Sequence, residues 1–416
     1  MQIREDTKQS LKRIKEIWLK TSDQFPSKLI KIPLDRKINN EEYAMQISEE
    51  FRIQLNSIPR LPIGRKKWRR NTEAFFMELL STETILGIHN TMSSSELEAF
   101  YQELMEFTRH ARAFAPELSF EELGQAIRNY IVYTMFKVIH RIDTGFSSAG
   151  FGYSMLYPFT DNYIDAIART SKEKQAYNKM IRDTLEGKKV QPADHCQNKT
   201  YLLLKAIEVD YPRDKDTGIY TILLMMLDAQ EESMSQQSQK QLLSIEERLD
   251  ISLFKGGVSV LVDRYLINKE LTEEDLSFYL AFGFFLQLAD DLQDIGDDSY
   301  KGYQTIFTYD LNKASEEKNV NKLMNFLHEI METYTADNNH FKSFVMQSSY
   351  LLILSSVIGS KEFFTEEYLL QIEMLLPVTS AYLEKTKAGM LEKQDVETQA
   401  KYMKLLDCLV SKYKSR

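Results

Sequence analysis

Residues Tyr279–Asp298 read YLAFGFFLQLADDLQDIGDD, and the run changes character halfway. Its first part is a continuous apolar rod that suits a helix buried in a protein core. Its second part suddenly carries Asp290, Asp291 and Asp294. At about 100° per residue, Asp290 and Asp294 fall one turn apart on one face with Asp291 beside them, so three carboxylates converge at the end of the rod. Burying one uncompensated carboxylate costs several kcal/mol, so the cluster either faces water or meets a cation. Acidic groups near a helix C-terminus also oppose the macrodipole by a few tenths of a kcal/mol each, so a purely structural helix gains nothing from them there. Mg²⁺ binds through one or two carboxylates completed by water and phosphate oxygens, which is what such a cluster offers.

A second acidic pair lies upstream in FTDNYIDAIART (Phe159–Thr170), where Asp161 and Asp165 are again one turn apart and Asn162 adds an amide oxygen. Two readings of it stay open. A helix could start at Pro158 and Thr160, whose first turn welcomes Asp as a cap; or a helix could run through Pro158 and be kinked by it. Two acidic faces on different helices could oppose one another across a bundle and hold several metal ions against a polyanion.

The rest of the chain is helical in pattern. Leu11, Ile14 and Trp18, and again Phe100, Leu104 and Phe107, recur at three- and four-residue steps, and no alternating strand run competes with them. With 43% apolar residues but only 15 Gly and 9 Pro in 416 residues, the composition suits long helices rather than many short strands. Breaks are expected at Phe25–Pro33, Pro59–Gly64, Ala115–Ser119, Gly145–Gly152, Gly187–Asp194 and Tyr211–Gly218, giving a dozen helices or more. The most charged part, residues 1–140, is expected to form a helical layer on a bundle of residues 141–416. The 61 acidic and 52 basic side chains leave a net charge of −9, against the basic footprint of a nucleic-acid binder. Only Cys196 and Cys408 could pair, which is compatible with a reducing cytoplasm. The first twenty residues mix charges throughout, so no signal peptide is expected, and the apolar run Tyr350–Gly359 covers about half of a membrane span, so it is expected to be a buried helix. The six histidines show no zinc-ligand spacing.

The run Gly283–Asp294, GFFLQLADDLQD, resembles the second aspartate-rich motif of trans-prenyl diphosphate synthases, G-x-x-x-Q-x-x-D-D-x-x-D, at Gly283, Gln287, Asp290, Asp291 and Asp294. The continuation IGDDSYKGYQTIFTYDL matches that family at Gly302 and Asp310-Leu311, with Lys301 before the glycine rather than after it. Lys255 in LFKGGVSVLVDRYL is similar to the Lys-Thr element that holds a diphosphate, with Gly256 in place of Thr. Asp161-Asn162-Tyr163-Ile164-Asp165 resembles a reduced D-D-x-x-D motif, closer to the D-x-x-x-D variants of large bacterial terpene cyclases. The resemblance spans about residues 150–311.

This resemblance implies an all-α, class I isoprenoid-synthase-like bundle with extra N-terminal helices. It implies a trio of Mg²⁺ ions held by Asp161, Asn162, Asp165, Asp290, Asp291 and Asp294, with an isoprenyl diphosphate bound by Lys255, Gln287, Arg248 and Lys301. The reaction would be metal-assisted ionisation of the diphosphate. Cyclisation needs one such substrate, whereas chain elongation with isopentenyl diphosphate needs a second diphosphate site. The basic element GRKKWRR (Gly64–Arg70) lies about double the family interval before the first motif, which together with Asn162 favours a terpene synthase over a prenyltransferase. A third reading, an inactive helical partner of a synthase, predicts a degenerate second motif, which this chain does not have. No nucleic acid and no transmembrane segment are expected, and the resemblance admits a homodimer.

Overall fold

A computed structural model describes residues 2–59, 61–166, 169–237, 241–392 and 396–411, with the side chains of 62, 165, 387–392 and 396 outside the description. The described residues form helices and no strand, in agreement with the all-α expectation. The helices are α1 (Gln2–Lys20), α2 (Leu34–Asn56), α3 (Pro62–Thr82), α4 (Ser94–Phe114), α5 (Phe120–Ile139), α6 (Ser148–Asp165), α7 (Ser171–Leu185), α8 (His195–Asp210) and α9 (Gly218–Ser233). There follow α10 (Ile245–Ile267), α11 (Glu273–Gln293), α12 (Ile295–Lys301), α13 (Lys313–Thr333), α14 (Asn339–Gly359), α15 (Glu366–Glu373), α16 (Ser380–Glu392) and α17 (Val396–Val410).

Local sequence explains many of the starts. Ser93/Glu96, Ser119/Glu122, Thr170/Glu173, Ser244/Glu247 and Thr272/Asp275 each close a reciprocal capping box at the head of α4, α5, α7, α10 and α11. Each box satisfies two backbone N–H groups that the first turn would otherwise leave bare.

The chain divides into two compact units, residues 1–41 with 218–387 and residues 42–217 with 388–416. In the first, α10 and α11 are antiparallel partners joined by a short turn that Arg264 closes. Its guanidinium donates to both oxygens of Asp275, at 3.1 and 2.9 Å, and to the carbonyls of Asn268 and Glu270. Their backbones come close at two glycines: a Cβ on Gly256 would overlap the Gly283 carbonyl and stand 2.6 Å from Gln287 Cβ. α1 covers this pair, with Trp18 edge-on to Phe284 and Phe326 at 5.4 and 5.5 Å. α14 is 21 residues long and apolar enough, by length and composition, to cross a membrane, and half of its apolar window is buried. It extends beyond the 350–359 run because Phe341, Val345 and Ser349 continue its inward face.

In the second unit, Trp68 of α3 is buried with Leu405, Cys408 and Leu409 of α17. The boundary expected at residue 140 falls inside this unit. Buried Glu103 of α4 accepts from Lys137 of α5 at 3.0 Å and from the amide of Gly145 at 2.7 Å, so the 140–147 connection is tied to the helices before it. Gly150 and Gly152, expected to break a helix, lie inside α6 instead. A Cβ there would meet the Tyr133 ring at 2.7 Å and the Leu203 carbonyl at 2.6 Å, so these glycines let α6 approach α5 and α8.

The α10–α11 contact leaves no room for a methyl group. Gly283→Ala is expected to lower the unfolding free energy by about 1–3 kcal/mol, read as a lower urea midpoint at unchanged slope; an unmoved midpoint contradicts the close approach.

Candidate functional site

The rod read from the sequence is α11, and its acidic end meets α12 at Asp294, which caps both helices. The amide of Asp294 donates to the Asp290 carbonyl at 2.9 Å and that of Asp298 to the Asp294 carbonyl at 2.8 Å. Asp294 is thus the last residue bonded into α11 and the first acceptor of α12, at a non-helical ψ of 9°, and the charges of Asp290 and Asp294 act on Asp298 across this break. Asp298 is an addition to the sequence-based set, and its signal was the same four-residue step carried once more.

Asp291 turns inward. It is 5% exposed, accepts from Gln287 Nε2 at 2.9 Å on one oxygen and from Ser252 Oγ of α10 at 3.3 Å on the other. Burial pushes its carboxyl up to about 7; the Gln287 hydrogen bond and the Lys255 ammonium work against that rise, and the charges of Asp290 and Asp298 add to it. Partial burial, together with Asp294 and Asp290, brings Asp298 up to about 6, opposed by Lys301. Desolvation at the junction and the charges of Asp290 and Asp297 raise Asp294 as well. Asp290, Asp291, Asp294, Asp297 and Asp298 thus repel one another where α11 meets α12, with Lys255 and Lys301 as nearby cations acting on them. Lys255 is half-buried on α10, and Lys301 is exposed, 4.0 Å from Asp297.

The donor set is all oxygen, the chemistry Mg²⁺ prefers. Among the described residues, no three His, Cys, Asp or Glu side chains close into a ready-made metal cage. An ion held through one or two carboxylates and completed by water and phosphate needs none.

Arg248 is placed elsewhere than at a diphosphate. Its buried guanidinium donates to the carbonyls of Leu243 and Thr305 at 3.2 and 2.7 Å and stands 4.9 Å over the Tyr309 ring. It clamps the loop after α12. The aromatic residues of α11 are also engaged in packing, Phe284 against Trp18 and Phe326, and Phe278 stacked on Tyr334 at 3.8 Å.

The other acidic motif belongs to the second unit. α6 runs through Pro158, so Asp161 and Asp165 occupy its last turn rather than its first, and the capping reading is removed. Asp161 is half-buried and accepts from Thr160 Oγ1 at 3.3 Å, while exposed Asn162 donates to Glu122 at 3.0 Å. The Asp165 side chain lies outside the described residues. The basic element Gly64–Arg70 is the head of α3, with Trp68 sunk in the core and Arg69 paired to Glu73 at 3.1 Å.

No protein-family model matches the chain, and no curated protein does.

The raised Asp291 carboxyl has a stability consequence. Its folded value stands above the ordinary value near 3.9, so the folded state binds the extra proton, and stability falls as pH rises from about 4 through about 7. Asp291→Asn removes that penalty. At pH 8 without divalent ions the variant is expected to be more stable than wild type, on the order of a few kcal/mol, with the advantage gone at pH 4. Equal urea midpoints at pH 8 would contradict this electrostatic account.

Proposed function

We propose that the protein is a Mg²⁺-dependent class I terpene synthase that ionises a linear isoprenyl diphosphate and cyclises the resulting carbocation, releasing pyrophosphate. The observation that carries this reading is the gathering of Asp290, Asp291, Asp294 and Asp298 where α11 meets α12, each raised carboxyl feeling its neighbours' charge, with Lys255 acting on Asp291. Asp290 and Asp291 stand at the negative end of α11, where carboxylates are electrostatically unfavourable by themselves; the cluster becomes useful when cations and a polyanion occupy it.

Bound Mg²⁺ supplies charge neutralisation of the diphosphate leaving group. Asp290, Asp294 and Asp298 are the oxygen donors in this reading, and Gln287 and Ser252 fix the Asp291 carboxyl behind them. The Lys255 ammonium, on the neighbouring helix, takes up negative charge as the C–O bond of the substrate breaks. Lys301 offers a second cation beside Asp294 and Asp298. Asp161, Asn162 and Asp165 contribute a further set of oxygen donors to the reading by their chemistry.

The alternative, elongation by isopentenyl diphosphate, requires a second diphosphate site. Trp68 anchors the GRKKWRR segment in a core, and Arg69 is paired with Glu73.

The test is incubation of the purified protein with Mg²⁺ and geranyl, farnesyl, geranylgeranyl and geranylfarnesyl diphosphates, each with and without isopentenyl diphosphate. Pyrophosphate release and product masses are the readouts. Cyclised product is expected from one allylic diphosphate alone, EDTA is expected to stop it, and Asp290→Asn is expected to slow release by at least a hundredfold, about 2.7 kcal/mol in the barrier. Replacing Lys66 and Lys67 by Ala is expected to change the rate by less than tenfold, under about 1.4 kcal/mol. Product that forms only with isopentenyl diphosphate, with a raised KM for it in the Lys66/Lys67 variant, selects elongation instead.

A further inference from the structure

The end of α2 and the head of α3, both in the second unit, form a helical hairpin. Gln54 ties it below its tip: its carbonyl accepts from Trp68 Nε1 at 3.0 Å and its side-chain oxygen from Thr72 Oγ1 at 3.1 Å. Trp68, Thr72 and Phe75, spaced by four and three residues, are the buried side of α3. Ile63, Lys66, Lys67 and Arg70 recur at steps of three, one and three and so share the opposite side. That side is open to solvent. Ile63 is 93% exposed and Leu61, just before the helix, 69%; Lys66, Lys67 and Arg70 are exposed as well.

Residues 53–72 hold six Lys or Arg and no Asp or Glu, in a chain whose net charge is −9. Arg69 is paired with Glu73. Among the described residues, Arg65, Lys66, Lys67 and Arg70 enter no ion pair, and the buried Nε of Arg65 has no hydrogen-bond partner. The fold does not account for this composition. α3 opens behind Leu61 without a side-chain cap, whereas five other helices have reciprocal boxes, and cations near a helix N-terminus oppose the macrodipole. Two large apolar side chains held in water beside three exposed cations add nothing to the hairpin's own stability.

We propose that this hairpin tip docks on an anionic lipid bilayer, with Leu61 and Ile63 entering the boundary between headgroups and acyl chains and Lys66, Lys67 and Arg70 meeting the lipid phosphates. Phosphate chemistry alone accounts for the cations. A free phosphate or a nucleic-acid backbone would leave Leu61 and Ile63 in water, so the two features together select a bilayer. Neither suffices singly, because two apolar side chains are a weak anchor and exposed charges are screened by salt. The surface acts independently of the diphosphate chemistry proposed above, since none of its residues belongs to that site.

The test mixes the purified full chain with vesicles of phosphatidylcholine, alone or containing phosphatidylglycerol, and measures bound protein by flotation at low and high salt. Wild type is expected to bind the phosphatidylglycerol vesicles at low salt, to leave them at high salt, and to ignore phosphatidylcholine alone. The double variant Lys66→Gln/Lys67→Gln is expected to bind about tenfold more weakly, and Ile63→Ser about threefold more weakly. Circular dichroism is expected to be unchanged in both, because the altered side chains are exposed. Wild type that does not bind, or that binds both vesicles equally, overturns the proposal. So does either variant binding as wild type does. Binding that Ile63→Ser leaves intact and inorganic pyrophosphate displaces assigns the cations to a soluble phosphate ligand instead.

Discussion

The close approach of α10 to α11 at Gly256 and Gly283 is the constraint on which the candidate site depends. Two ordinary side chains here would push the helices apart, because a Cβ on either residue would run into the other's backbone. At the spacing the glycines permit, Ser252 reaches Asp291 and the Lys255 ammonium acts on the same carboxyl. The match of Gly283 and Gln287 to a family pattern thereby acquires a physical meaning. Gly283 sets the helix separation, and Gln287 fills the adjoining space while holding one Asp291 oxygen.

Electrostatics then separates two kinds of carboxyl within the same unit. Burial works against ionisation of Asp275, yet the Arg264 guanidinium and the Thr272 hydroxyl and amide hold its carboxyl below the ordinary range. That is a completed ion pair, closing the α10–α11 turn. Asp291, Asp294 and Asp298 are raised instead, by burial and by one another. Within that unit Lys255, Lys301, Gln287 and Ser252 oppose the rise only in part, and the carboxyls stay raised.

The helical class was legible because apolar residues at three- and four-residue steps leave no competing period, and the capping boxes mark starts directly in the sequence. Asp290, Asp291 and Asp294 were legible for the same reason. Asp298 was missed because its membership depends on α12 starting directly at Asp294 and turning its first residues back towards the α11 carboxylates, which an acidic, glycine-containing segment does not announce. Arg248 was misplaced because its position on α10 says nothing about the 303–308 loop that folds back under its guanidinium. The continuity of α6 through Pro158 and the close packing of Gly150 and Gly152 depend on partner helices, and single-residue propensities point the other way. The discontinuous units are likewise tertiary: Trp18 carries no sign that its partners are Phe284 and Phe326, hundreds of residues later.

Arg248 illustrates how the chain around the site stays ordered. Its fork reaches the Leu243 and Thr305 carbonyls, and Gln304 adds bonds from its amide to the Gln241 carbonyl and from the Leu243 amide to its own oxygen. The loop leaving α12 is thereby fastened to the segment entering α10. Gly302 makes the turn possible, closing α12 at a φ of 72° that a side chain would strain. α12 is consequently fixed at both ends, by its direct junction with α11 at Asp294 and by this clamp after Lys301. A seven-residue helix has little stability of its own, so the position of Asp298 and Lys301 beside the α11 carboxylates is maintained by a buried arginine that makes no direct contact with them in any of its bonds described above.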